Sequence, residues 1–225
     1  MDLASFFETF VDAAPLLFSG LQTTLYVTIV SLVLAMVIGI FVCLMNMSKF
    51  KVLRAIAKFY IWLIRGTPML VQAFYIYFAI PQLVQLVTGS SFRITVETAS
   101  LITLTANAGA YIAEIFRGAI QSVDKGQMEA SRSLGVPYAP SMGKIILPQA
   151  VRICLPSLVN QCIITLKDST ILYAIGLGEI MNQAKVYVGR TFESFATYTW
   201  VAIIFLVITS LLMVLSNYLE KRLNK

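Results

Sequence analysis

The chain has 225 residues, 58% of them hydrophobic and 12% charged, with a mean hydropathy of +0.81. Soluble domains carry about 25% charged residues, so the composition is that of a membrane protein. There is no histidine, which excludes histidine acid–base chemistry and histidine metal ligation, and the net charge of +6 is spread as a membrane topology requires rather than gathered for nucleic acid.

Residues 1–15 carry Asp2, Glu8 and Asp12 but no Lys or Arg, unlike the basic start of a cleaved signal peptide. Residues 21–47 then run without a charge, long enough to cross a ~30 Å hydrocarbon core. Lys49, Lys51, Arg54, Lys58 and Arg65 follow with no acid among them, and residues 50–64 alternate basic and apolar positions as an interfacial segment does. Pro68 is read as the first helical residue of a second span, 68–87, which Pro81 ends or kinks. Gly89-Ser90-Ser91 mark a loop, and a third span covers 98–119. A fourth covers 142–166, with Pro148 and Pro156 each removing a helical donor and expected to bend it. Residues 167–194 are mixed in character, and a fifth span covers 195–219, followed by Lys221, Arg222 and Lys225. Cys43, Cys154 and Cys162 all lie inside apolar segments without a C-x-x-C pair, so they are packing residues and not a disulfide framework or metal site.

With five spans, only Arg93, Lys167, Lys185 and Arg190 fall on one side; every other Lys and Arg falls on the other. The positive-inside rule then places the N-terminus outside and the C-terminus inside. No internal repeat is visible, inverted or otherwise.

The longest polar interruption, Lys125 to Ala150, lies on the cytoplasmic side in this topology. Its first half predicts a short helix over about 127–135, with Met128, Ser131 and Leu134 at spacings that allow a shared face. Gly135 sits where a left-handed cap belongs, and Pro137 follows. Eight residues make a rod of only ~12 Å, too short to span a membrane and unstable alone, so it must lie against something.

Glu129-Ala130-Ser131, then Gly135 and Ile145-Ile146-Leu147-Pro148, resemble the EAA loop of the membrane subunits of bacterial ATP-driven importers. The one departure is Ser131, where that family more often has Ala. Arg65-Gly66-Thr67-Pro68, Asn107 to Glu114, Lys125-Gly126-Gln127, Ile146 to Ala150 and Lys167-Asp168-Ser169-Thr170 are similar to the polar amino-acid branch of these permeases, over about residues 16–219. The resemblance implies an all-α, five-helix permease domain occupying the whole chain, 1–225, in the bacterial cytoplasmic membrane. It implies the type I ABC importer architecture. Two permease subunits, identical or similar, would pair around a central path. Two ATP-binding subunits would carry ATP-Mg, and an external binding protein would deliver the amino acid. The docking residues it implies are Met128, Glu129, Ala130, Ser131, Leu134 and Gly135. This chain itself would bind no cofactor: Gly143-Lys144 is followed by Ile145, lacks the earlier Gly of a phosphate loop, and so is no nucleotide site.

Two polar stripes cross the apolar spans, where polar groups are costly unless they face protein or a wet cavity. On the third span Thr103, Asn107, Tyr111 and Glu114 run beside a stripe of small residues, Ala99, Thr103, Ala106, Ala110 and Ala113, that allows close helix approach. Glu114 and Arg117 are spaced for an ion pair. On the fourth, Ser157, Gln161, Thr165 and Asp168 form one stripe flanked by Asn160. These groups read either as interhelical hydrogen bonds, with Lys167 snorkelling and Asp168 capping the next helix, or as a path lining. In the second reading Asp168 attracts an α-ammonium group, and a helix starting near Ser169 offers backbone donors to an α-carboxylate. The resemblance implies substrate contacts on these spans, carried here to Asn107, Asn160, Gln161 and Asp168. No nucleophile and base share one depth, so no catalytic residue is expected. The sequence leaves open an ion-gradient-driven secondary transporter, and it does not name the amino acid.

Overall fold

A computed structural model describes residues 3–223; Asp2 and Lys225 lie outside the described residues. No strand occurs among them, because every long apolar run resolves into helix, the form that satisfies its own backbone in lipid. Helix α1 (Leu3–Asn46) is continuous through Pro15 and begins well before the expected position 21. The reason is tertiary. Phe6 and Phe10 pack at 4.8 and 4.4 Å on the Trp200 ring. Trp200 Nε1 donates to the Phe6 carbonyl, and the Thr9 hydroxyl donates to Glu193 at 2.6 Å.

The expected interfacial segment is helix α2 (Lys51–Arg65). Pro68 is extended, with ψ 137°, so it precedes the next helix rather than opening it. The second span is α3 (Met69–Phe74), one wide π-turn (Tyr75–Ala79) and α4 (Ile80–Thr88). The third is α5 (Val96–Ser122), with Thr95 capping its start through the Thr98 N–H. After the short α6 (Lys125–Ser133) and α7 (Tyr138–Ser141), a second π-turn (Met142–Ile146) leads into α8 (Leu147–Asp168) and a 3₁₀ segment (Ser169–Ile175). Helices α9 (Ile180–Thr191) and α10 (Ser194–Leu223) complete the described chain. Five segments are long and apolar enough to cross a membrane: Ala4–Asn46, Met69–Thr88, Val96–Ser122, Tyr138–Ile175 and Ser194–Tyr218.

Both π-turns precede a proline by the same offset. Ile80 N–H reaches back to the Tyr75 carbonyl and Leu147 N–H to that of Met142, and Pro81 and Pro148 follow one residue later. A helical proline cannot bond the carbonyl four residues back and its ring clashes with it; widening the preceding turn relieves both problems. Pro156 sits inside α8 without such a turn.

Helix α5 is the axis of the molecule. At one end Ala99 and Leu104 pack with Val27, Met69, Ala73 and Leu172. In the middle Ala108 and Ile112 meet Ala35. Gly39 is required there, since a Cβ would stand 2.5 Å from Ile112 Cγ2. Of the expected small-residue stripe, Ala99, Thr103, Ala110 and Ala113 are buried and Ala106 is half-buried.

Candidate coupling and translocation sites

Helix α6 is built from local signals. Asp124 caps it, its carboxylate accepting the Gly126 N–H at 2.6 Å. The other end closes on Gly135, at φ +80°, with Val136 N–H to the Ser131 carbonyl and Gly135 N–H to that of Arg132. This paired bonding is a Schellman closure, which needs a left-handed residue at that position. The faces of the helix differ. Glu129, Ala130 and Gly135 are exposed, and Leu134 is 84% exposed, a large apolar side chain without cover among the described residues. Met128 is half-buried beside Val123 and Ile146, and Ser131 is 4% exposed, its hydroxyl 2.7 Å from that of Ser141. The spacing allows Met128, Ser131 and Leu134 a shared face, but their burial differs. Leu134 leaves the helix and turns outward, while Met128 and Ser131 tie α6 to the end of α5, to α7 and to the π-turn ahead of α8.

The polar stripe on α5 is bonded to α2 and α3. Asn107, 8% exposed, donates to Gln72 Oε1 at 3.2 Å. Gln72 Nε2 in turn donates to the carbonyls of Ile64 and Thr67, which fixes the turn between α2 and α3. The Arg65 guanidinium lies 5.1 Å from the Tyr111 ring centre. Glu114 forms a two-pronged pair with Arg117, at 2.7 and 2.9 Å, and meets Arg65 at 3.6 Å. Sequence reasoning missed Gln72; a lone amide four residues after Pro68 in an apolar span was its only signal.

The α8 stripe divides. Gln161 is 4% exposed and bonded to Thr165 on its own helix. Ser157 and Asn160 are exposed and Asp168 half-buried, and none of the three makes a hydrogen bond or ion pair among the described residues. Asp168 therefore does not cap the following segment, and its side chain remains available. Nor does Ser169 begin a free helix end: the 3₁₀ segment continues straight from α8, and the Ser169 N–H already donates to Lys167 and Thr165. The expected backbone cradle for an α-carboxylate at Ser169 is absent for that reason. Thus Asn107 and Gln161 are hydrogen-bonded within the chain, whereas Asn160 and Asp168 have no such partner among the described residues.

Beyond α8, Glu179 caps α9 from a fully buried position. Its carboxylate accepts the N–H groups of Met181 and Asn182, while Thr24 accepts that of Ile180. Burial pushes its carboxyl up to about 7, against the opposing pull of the two backbone donors. The mixed composition of 167–194 concealed this helix; an acid directly ahead of a helical run was the sign.

Five apolar segments long enough to cross a membrane, with the capped α6 outside them and the unpartnered Asn160 and Asp168 on the fourth, define a multi-pass membrane protein with polar groups inside its spans. Residues 31–225 match the family described as binding-protein-dependent transport system inner membrane component, and the chain belongs to that family. It is 36% identical over 218 residues to the probable amino-acid permease protein YxeN of Bacillus subtilis, covering 97% of this chain and 96% of that one. It is also 36% identical over 211 residues to the glutamine transport system permease protein GlnP of Escherichia coli K12, covering 94% of each. A crystal structure of an amino acid ABC transporter superposes with a TM-score of 0.90 at 38% identity, over 99% of both chains. A methionine ABC transporter, MetNI, shares the fold at TM-score 0.75 and 21% identity. The chain is a multi-pass inner-membrane transport component, and the secondary-transporter alternative is set aside.

Proposed function

We propose that the chain imports a polar amino acid as one of two permease subunits, with ATP-Mg bound and hydrolysed by two separate partner chains and the solute delivered by an external binding protein. The amino-acid class is supported by the names of the relatives and of the matching transporter. The N-terminus is outside and α6 is cytoplasmic, which the distribution of Lys and Arg supports. Asn160 and Asp168 line the path, Asp168 attracting an α-ammonium group.

The observation that carries the coupling role is the two-sided build of α6. Leu134, with Glu129 and Ala130, faces outward to a partner, while Ser131 and Met128 hold the helix to α7, the π-turn that leads into α8 and the end of α5. A push on the exposed face then reaches α5 and α8 together. Movement of α8 carries Asn160 and Asp168, so the cavity they line changes its open side. Glu129→Lys and Gly135→Pro, each made in the intact complex, abolish ATP-driven uptake; uptake at the wild-type rate in both would defeat the coupling role.

A further inference from the structure

The second helix, α2, has no part in the coupling or path assigned above, and its surface is sorted into three arcs. At 100° per residue, Lys51, Arg54, Lys58 and Arg65 fall within about 60° of one another. Val52, Ile56, Phe59 and Leu63 occupy a separate arc, all exposed, Val52 at 71% and Phe59 at 59%. Ala57 and Ile61 are buried against the rest of the chain. Fifteen residues rise only ~22 Å, so α2 alone is too short to cross a ~30 Å core.

Arg54 and Lys58 of the basic arc line an open cavity of about 600 Å³ between the end of α1, α2 and α5. Arg54, Lys58, Arg117, Asn46 and Gln121 line it. Its single carboxylate, Glu114, is already held by Arg117 and Arg65, and Asn46 also reaches it at 3.4 Å. Arg54 and Lys58 have no carboxylate partner among the described residues. Trp62, 69% exposed, lines the same cavity and falls between the basic and apolar arcs. Two unanswered cations in a cavity, with an exposed apolar strip beyond one indole, demand a ligand that is anionic at one end and greasy at the other. A soluble phosphate satisfies only the first half of that demand.

We propose that this cavity seats the phosphate headgroup of an anionic phospholipid, held by Arg54 and Lys58, with its acyl chains lying along Val52, Ile56 and Phe59. Placing that lipid in the inner leaflet rests on the topology proposed above; the recognition itself does not.

The test is native mass spectrometry of the assembled transporter, incubated with equal amounts of phosphatidylglycerol and phosphatidylcholine. Wild type should retain phosphatidylglycerol about tenfold over phosphatidylcholine, and 10 mM inorganic phosphate should not displace it. Arg54→Ala/Lys58→Ala should bring the ratio to about one. Lys49→Ala/Lys144→Ala, an equal charge loss away from the cavity, should keep it. Equal retention of both lipids by wild type overturns the proposal without any variant. So does displacement by phosphate, which marks a soluble-anion site, or an assembled double variant that keeps the tenfold selection. Because uptake is not the readout, failure of transport and failure of lipid selection are separate results.

Discussion

Helices α6 and α9 are made by the same local rules and put to opposite uses. Each is short, each is capped by an acid at its start, and each closes on a left-handed residue, Gly135 at φ +80° and Phe192 at φ 61°. Burial separates them. Glu179 and Ile180 are wholly enclosed, Thr24 completes the capping, and Gly20 lets α1 come against the Ile180 backbone. Asp124 and Leu134 stand in the open. Local sequence thus decides that a helix forms, and long-range packing decides whether it serves as a clamp or a peg.

The contrast breaks most readily at Gly20. An alanine Cβ there would lie 2.7 Å from Ile180 Cα, and backbone on the far side leaves nothing flexible to yield. Overpacking of this kind costs about 2 kcal/mol. Thermal unfolding of purified Gly20→Ala should fall by about 6 °C for a chain of this size.

The next effect is one of pH. With its carboxyl at about 7 when folded and 4.5 as the ordinary value, Glu179 holds a proton in the folded chain that the unfolded chain has already released. Its contribution is complete below about 4.5 and is lost as pH rises through about 7. Wild-type melting temperature should therefore decline between pH 5 and 8, and Glu179→Gln should flatten that decline. An unchanged slope would locate the titrating group elsewhere.

Gly135→Ala should cost about 1 kcal/mol, the price of a left-handed conformation for a residue with a Cβ, seen as a drop of a few degrees. Leu134→Ala should leave the melting temperature where it is, since nothing among the described residues covers that side chain, while affinity for the ATP-binding partner falls about tenfold. A peg variant that melts early, or a clamp variant that weakens only partner binding, would erase the distinction between the two helices.

The peg was legible because its instructions are local: Gly135, the polar run and the flanking apolar segments lie within one stretch. The clamp was not, because Glu179 and Thr24 are far apart in the chain and neither is unusual alone. The stripe on α5 was visible as a period, but its partner Gln72 lies 35 residues from Asn107, so its structural use could not be read from spacing. Met128 and Ser131 show the converse error: the spacing did place them together, but Leu134 lies beyond the helix end and follows a different direction.

The wide turns ahead of Pro81 and Pro148 also set azimuth. Each stores one residue more than an ordinary helical turn, and one residue corresponds to ~100° of rotation about the axis. At Pro81 and Pro148 the surplus residue keeps the ring clear of the carbonyl four residues back, whereas Pro15 and Pro156 are carried without one. The compass bearing at which Asn160 and Asp168 leave their helix is accordingly influenced by a turn that lies 12 or more residues before them in the chain.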